Sequence, residues 1–360
     1  MAPENTQKGV VQSDELYHVN GVVYIEANLK INELRVLMAI VQHLQGAILF
    51  KVRRRVQKGP LPEVFLPERK VVPDLPDVRV VTIPVLDFHF GLNNGKRLRE
   101  CLEALCHTRI AFPEGRKNDT AGSLIVNNFP GLISGFSFPP YASFVDVYLS
   151  DPLIERLLLT KEGYSHYSRS RALSITNKYT VRVYWLICSW RSKGGFCISL
   201  DGFRKLLSLG KGYDKPSNIV ARILEPSKAD FESAFPISFQ YRFHESDGGT
   251  KIVFKIKVPL PETEVRQRKK EAYEFCANLL AKSGIDRSLL LPLLESLDSE
   301  DIRLFVLKVT ELCRFLSSSK GIKDHNRYFL SSMQNWLEDW TLRYQDIGGC
   351  FSFSPFGGSS

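Results

Sequence analysis

The chain has 360 residues, 44% of them hydrophobic, with 48 Lys+Arg against 39 Asp+Glu and a formal charge of +9. That length predicts two or three domains, and no stretch approaches the roughly 18 apolar residues that a bilayer span needs, so no membrane partner is expected. Seven cysteines, an odd number without a C-x-x-C pair, are expected as reduced, packed thiols of a cytoplasmic protein.

The charge is unevenly placed. Residues 1–160 hold 18 Lys+Arg against 17 Asp+Glu, residues 161–260 hold 17 against 8, and residues 261–360 hold 13 against 14. Basic charge confined to one segment attracts a polyanion, whereas the same charge spread evenly mainly governs solubility.

In chain order, residues 1–20 read as a poorly ordered tail with no apolar run behind a positive start, so neither signal peptide nor anchor is expected. Leu34, Leu37, Met38, Val41 and Leu44 mark a first helix by their helical spacing. Residues 51–80, with KVRRR and five prolines, read as a long connection, and Val81 to Val85 as a strand. Asn93 to His107 predict a basic amphipathic helix that buries Leu98, Leu102 and Leu105 and shows Lys96, Arg97 and Arg99. Strands are expected over Arg109–Phe112, about Ser123–Val126, Gly135–Phe138 and Val145–Leu149.

Tyr164 to Arg171 has no apolar period and reads as a linker. From Tyr179, the residues Val183, Leu186, Ile187 and Trp190 form the stripe of a helix that Gly194-Gly195 stops. A strand, Phe196 to Ile198, leads to Ser199, a predicted N-cap for a helix burying Leu200, Phe203, Leu206 and Leu207. Asp214 is expected to cap a second helix with Pro216 in its first turn, burying Ile219 and Ile223, and Pro226 is expected to interrupt or kink it. Two period-two arms, Ile237 to Phe243 and Lys251 to Lys257, then flank the turn Asp247-Gly248-Gly249. Helix, strand, helix, helix and basic hairpin is the order of a winged helix-turn-helix.

Beyond Pro261 the pattern is helical over Val265–Ala281, Leu289–Leu297, Ser299–Leu316 and Asp324–Tyr344, a nearly neutral, Leu-rich region read as a packing or partner-docking module. The predicted fold is α+β: two tandem winged helix-turn-helix domains, 21–160 and 161–260, then a helical C-terminal extension, 261–347, and a disordered tail, 348–360.

Enzyme motifs fail. LSLGKGYD has Gly212 where a phosphate-binding loop needs Ser or Thr for its metal. DFHF supplies His89 alone, where a metal-dependent nicking centre needs a second histidine two residues away. No other histidine has zinc-binding spacing. No catalytic residue, metal or cofactor is therefore expected, and the protein is not expected to be an enzyme.

The stretch NLKINELRVLMAIVQHLQ, followed by NKYTVRVYWLICSW, FRKLLSL, GYDKPSNIVARILEPSKADFE and a hairpin ending IVFKIK, resembles the iteron-binding plasmid replication initiators over roughly residues 21–258. The resemblance implies a bacterial protein that binds directly repeated sequences in the double-stranded DNA of a plasmid origin, helps open an adjacent A·T-rich region and recruits the host replicative helicase beside the host initiator. As a homodimer it would repress its own promoter. The alternative is a winged-helix transcriptional repressor without initiator activity.

A helix in the major groove can offer Arg to guanine, Asn to adenine and small side chains to the thymine methyl. Ser217, Asn218, Ala221 and Arg222 are the expected base readers, and Arg222 could alternatively pair with Glu225. Arg169, Arg171, Lys178, Arg204, Lys205, Lys215, Lys228, Lys251 and Lys255 are the expected phosphate contacts, which fix register without reading sequence. In the first domain Lys96, Arg97 and Arg99 are expected at a secondary DNA contact or a dimer face.

Overall fold

The computed structural model describes residues 14–54, 62–73, 75–91, 94–113, 126–158, 163–246, 249–319 and 321–345. Most of the expected N-terminal tail, the tail 348–360, Asn93, residues 123–125 and the turn residues Asp247 and Gly248 lie outside these. The fold is α+β, and the chain divides into two compact units: Met1–Ser189 with Leu206–Leu209, and Trp190–Lys205 with Gly210–Ser360.

The first unit holds β1 (Glu15–Val19), α1 (Asn20–Val23), α2 (Ile31–His43), α3 (Gln45–Arg54), β2 (Glu68–Val72), β3 (Leu75–Pro84), α4 (Gly95–His107), β4 (Ile110–Pro113), β5 (Val126–Phe129), β6 (Gly135–Ser137), β7 (Phe144–Ser150), α5 (Asp151–Leu157), β8 (Tyr164–Ser168), α6 (Arg169–Ser174) and all but the last residue of α7 (Lys178–Trp190). β2-β3-β7-β6 form one antiparallel sheet, β4 and β5 a second, and β1 and β8 a third. The helices expected near Leu34 and over 93–107 form, and α4 buries Leu98, Leu102 and Leu105.

Three expectations are corrected by the strands. Residues 15–19 belong to a strand rather than a tail, and Tyr164–Ser168 pairs with it instead of forming a linker. Each strand has only five residues and mixes Tyr and His with its apolar positions, so its period of two is too short to stand out. Its burial is plain only in three dimensions, where Leu16, His18, Ser165 and Tyr167 are all buried. Within the expected connection 51–80, Glu68–Val72 likewise forms a strand, and it pairs with β3, which begins at Leu75 and runs into the strand expected from Val81.

The unit boundary falls after Ser189 rather than between 160 and 161. Arg182, midway along α7, is buried in the first unit and donates to the carbonyls of Val23, Ile25 and Leu206. Burial pulls this guanidinium down to about 10. Three carbonyl acceptors are what make so deep a cation tolerable.

The second unit holds β9 (Gly195–Ser199), α8 (Leu200–Leu206) up to Lys205, α9 (Pro216–Ile219), α10 (Glu225–Ala234), β10 (Ser238–Ser246), β11 (Gly249–Lys257), α11 (Glu262–Lys282), α12 (Leu290–Glu295), α13 (Ile302–Ser318), α14 (His325–Glu338) and α15 (Trp340–Gln345). The sheet order is β10-β11-β9, all antiparallel. Ser199 Oγ accepts the Gly202 N–H at 3.0 Å, as its reading as a cap requires.

The central strand, β11, is covered on both faces. Phe254 stacks with Phe196 and lies near Phe203 and Phe239, while Val253 and Cys197, which point the other way in the period-two strand, join one core with Cys276, Leu280, Phe305, Phe329 and Tyr344. Residues 262–345 therefore share their core with the hairpin. The single helix expected over 324–344 is broken at Asp339, whose carboxylate accepts from the backbone N–H and hydroxyl of Thr341 at 2.9 and 2.7 Å and so restarts the chain as α15.

Candidate nucleic-acid interface

Residues 216–234 form one helical run in three parts: α9, a π turn over Val220–Leu224, and α10. In an unbroken α-helix the Pro226 ring would strike the carbonyl of Arg222, and the residue has no N–H to donate. The wider π turn just before it removes the clash, so Pro226 starts α10 instead of ending the helix. Lys215, in extended conformation, is the N-cap position, and Asp214 is already helical. The expected Asp214 cap is thus displaced by one residue, because Pro216 disfavours helical geometry at the residue before it.

One face of this run is buried through Ile219, Ile223, Leu224, Ser227 and Phe231. Lys215, Ser217, Ala221, Arg222 and Glu225 are exposed, and Asn218 is half-buried. Three of the four expected base readers are therefore exposed on the opposite face. Asn218 is engaged: its Nδ2 donates to the Gly212 carbonyl at 2.9 Å and pins the Lys211–Tyr213 turn. Arg222 lies 6.0 Å from the Tyr213 ring centroid rather than on Glu225, which accepts the Tyr241 hydroxyl.

The expected phosphate contacts divide sharply. Lys205 and Lys215 are exposed. Arg204 spends its donors on the Tyr213 and Asp214 carbonyls and on Asp201, and so holds the turn that precedes the helix. Lys228 is half-buried, 4.0 Å from Glu232 one helical turn away. Lys251 is half-buried on the hairpin, facing Ser199 and His244 in the sheet register.

Lys255 is a correction. It is 3% exposed, its Nζ lies 2.5 Å from Asp298 and 2.8 Å from Asp301, and no phosphate can reach it. Asp301 also takes Arg343 and, at 2.6 Å, the Tyr344 hydroxyl. The period-two arm put Lys251 and Lys255 on one face as phosphate contacts; at Val253 and Lys255 that face is covered by the helices that follow.

In the first unit, Arg169 donates to the Asp87 carbonyl and contacts His89 at 3.0 Å, and burial lowers its affinity for its proton. Lys178 donates to Asn28 at 2.8 Å and lies 4.8 Å from the Tyr179 ring, again with its pKa lowered by burial. Arg171 is half-buried in α6. Lys96 and Arg97 are exposed on α4, Arg97 within 2.8 Å of the Asn32 amide, while Arg99 is held by the Phe138 carbonyl and ring.

Lys211 and Tyr213 were missed in the sequence. Both belong to the turn before the helix, Lys211 exposed and Tyr213 beside Arg222. The signal was the Gly-Lys-Gly-Tyr turn itself, two residues ahead of a helix start.

The surface so defined is a polar, basic helix face joined through its preceding turn to a small antiparallel sheet. No family model matches the chain. Among solved structures it is similar to the crystal structure of Pi initiator protein in complex with iteron DNA, at 17% sequence identity and a TM-score of 0.49, over 70% of this chain and 100% of that chain.

Proposed function

We propose that the chain is a plasmid replication initiator that binds directly repeated segments of double-stranded origin DNA through the helical run 216–234. The observation that carries the reading is that run itself. Ser217, Ala221 and Arg222 are exposed opposite buried Ile219, Ile223 and Leu224, with Lys205, Lys211 and Lys215 exposed just before it. Residues of these types on one exposed helix face can read guanine and thymine edges, and the lysines can neutralise phosphates.

In this reading the second winged helix is the main reader and the first, through Lys96 and Arg97, supplies a second DNA contact or the homodimer face. Binding to several repeats would bend the DNA and load strain onto a weakly stacked A·T-rich segment, which opens without a catalytic residue, metal or cofactor. Strand separation by a nucleoside triphosphate-driven helicase would fall to the host enzyme that the assembly recruits with the host initiator. The protein itself would act in the bacterial cytoplasm without enzymatic activity, and its dimer would repress its own promoter.

The test is binding by fluorescence anisotropy to duplexes tiled across the DNA flanking its gene, followed by permanganate footprinting of a supercoiled template. Tight binding confined to direct repeats, with reactive thymines appearing beside them, is the expected result. Binding at a single operator without reactive thymines would make the protein a repressor instead, and metal-dependent nicking of the plasmid would make it a relaxase.

A further inference from the structure

Away from the helix run 216–234, a cavity of about 570 Å³ opens between the loop Arg191–Gly194, the segment after β11, the flank of α11 and the start of α13. Its walls combine two chemistries. One is apolar: Val258, Leu260, Val306 and the ring of Phe275, which is 51% exposed. The other is cationic: Arg191, Lys193 and Arg303.

The whole lining holds four cations, Arg191, Lys193, Arg268 and Arg303, against two carboxylates, Glu271 and Glu300. Glu300 accepts from the Val258 N–H at 3.2 Å and Glu271 from the Gln267 amide at 2.8 Å, neutral donors that orient the carboxylates without cancelling their charge, while Arg268 pairs outside the lining with Glu264 at 2.7 Å. Among the described residues Arg303 has no hydrogen-bond or ion-pair partner. Lys193 lies 4.4 Å from the Trp190 ring, and its pKa is lowered by burial and by the charge of Arg303. Lys193 and Arg303 are both exposed at the mouth of the cavity, and two neighbouring cations that repel one another are stabilised by an incoming anion.

We propose that this cavity docks an acidic peptide segment of a partner protein, its carboxylates meeting Lys193 and Arg303 and an apolar side chain seated against Phe275, Val306 and Leu260. The apolar wall favours a peptide over a nucleic-acid backbone: a phosphodiester would leave the half-exposed Phe275 and its aliphatic neighbours in water, whereas an acidic peptide with one aromatic or aliphatic anchor covers both parts of the surface. Complementary charge would set the approach and the partner choice, and the anchor the residence time.

The test uses the full chain and two fluorescein-labelled peptides, Asp-Glu-Leu-Phe-Glu-Glu-Leu-Asp and the same sequence with Lys replacing every acid, read by anisotropy. The acidic peptide should bind saturably and the basic one should not. Arg303→Glu and Phe275→Ala, both at exposed positions, should each weaken the acidic peptide by about tenfold while leaving the circular-dichroism melt and affinity for duplex DNA unchanged. Absent binding, or equal binding by wild type and both variants, overturns the proposal. A matching loss of duplex affinity in Arg303→Glu would make the cavity a phosphate site, and a drop in sedimentation coefficient in Phe275→Ala would make it a contact between copies; either result also overturns it.

Discussion

Lys255 Nζ lies 2.8 Å from Asp301 Oδ2, a pair in which both side chains are removed from water. The lysine comes from the central strand of the hairpin and the aspartate from the threshold of α13, so this ion pair fastens the C-terminal helices to the sheet of the second unit. Asp298, Arg343 and Tyr344 complete the network, and burial followed by the neighbouring Asp301 charge pushes the Tyr344 phenol far up.

Removing one partner leaves the other buried charge with a reduced set of counter-charges, Asp301 with Arg343 or Lys255 with Asp298. Lys255→Met or Asp301→Asn should each cost about 3–5 kcal/mol in urea denaturation, and Lys255→Met combined with Asp301→Leu should cost clearly less than the two single losses summed. Under conditions where the single variant stays folded, the slope of log affinity against log salt should not change, since Lys255 touches no phosphate. A shallower slope for Lys255→Met would restore the discarded DNA contact.

The helix run makes a contrasting forecast. Arg222→Ala should lose about 1–3 kcal/mol of discrimination at one base pair, whereas Lys215→Ala should weaken all duplexes alike and reduce the salt slope by about one. Asn218→Ala should also weaken all sequences alike, because its amide holds the Gly212 carbonyl. A changed base preference for Asn218→Ala would mean that it reads a base after all. Competition binding over a set of singly substituted repeats resolves the three.

Stability should depend on pH through His18. The ring is 1% exposed, its Nε2 has no hydrogen-bond partner among the described residues, and burial, aided by His166 and opposed by the Val19 carbonyl, pushes it down to about 4 from 6.5. Below pH 6.5 the unfolded chain takes up a proton that the folded chain refuses until about pH 4. Stability therefore falls as pH drops across that window, by up to about 3 kcal/mol. Denaturant titrations between pH 7 and 4 should show the loss, and His18→Phe should flatten that part of the profile.

Gly195 tests the covering of the sheet directly. A Cβ there would sit 2.3 Å from the Phe254 carbonyl oxygen and 2.6 Å from the Tyr344 ring. Because the first obstacle is backbone, Gly195→Ala should destabilise by about 1–3 kcal/mol, read as a lower denaturation midpoint. A neutral effect would mean that β9 shifts easily against both β11 and α15.

Much of the second unit was legible because its elements are long enough to display a period. The Ile219/Ile223 stripe placed Ser217, Ala221 and Arg222 on the exposed face, and the alternation of Lys251 to Lys257 announced β11. Short elements were opaque for the converse reason: five residues of β1 cannot distinguish a strand from a tail.

The amino-acid sequence by itself determined which residues could face away from a core, since periodicity is a local property of the chain. Which of those faces meets water was decided only by tertiary structure. Lys255 and Lys215 carry the same charge in equally basic surroundings, yet one is sealed beneath α11–α15 and the other stands open before the helix. The carboxylates that hold Lys255 come from more than forty positions further along the chain, Asp298 and Asp301, and no local pattern around Lys255 records their arrival.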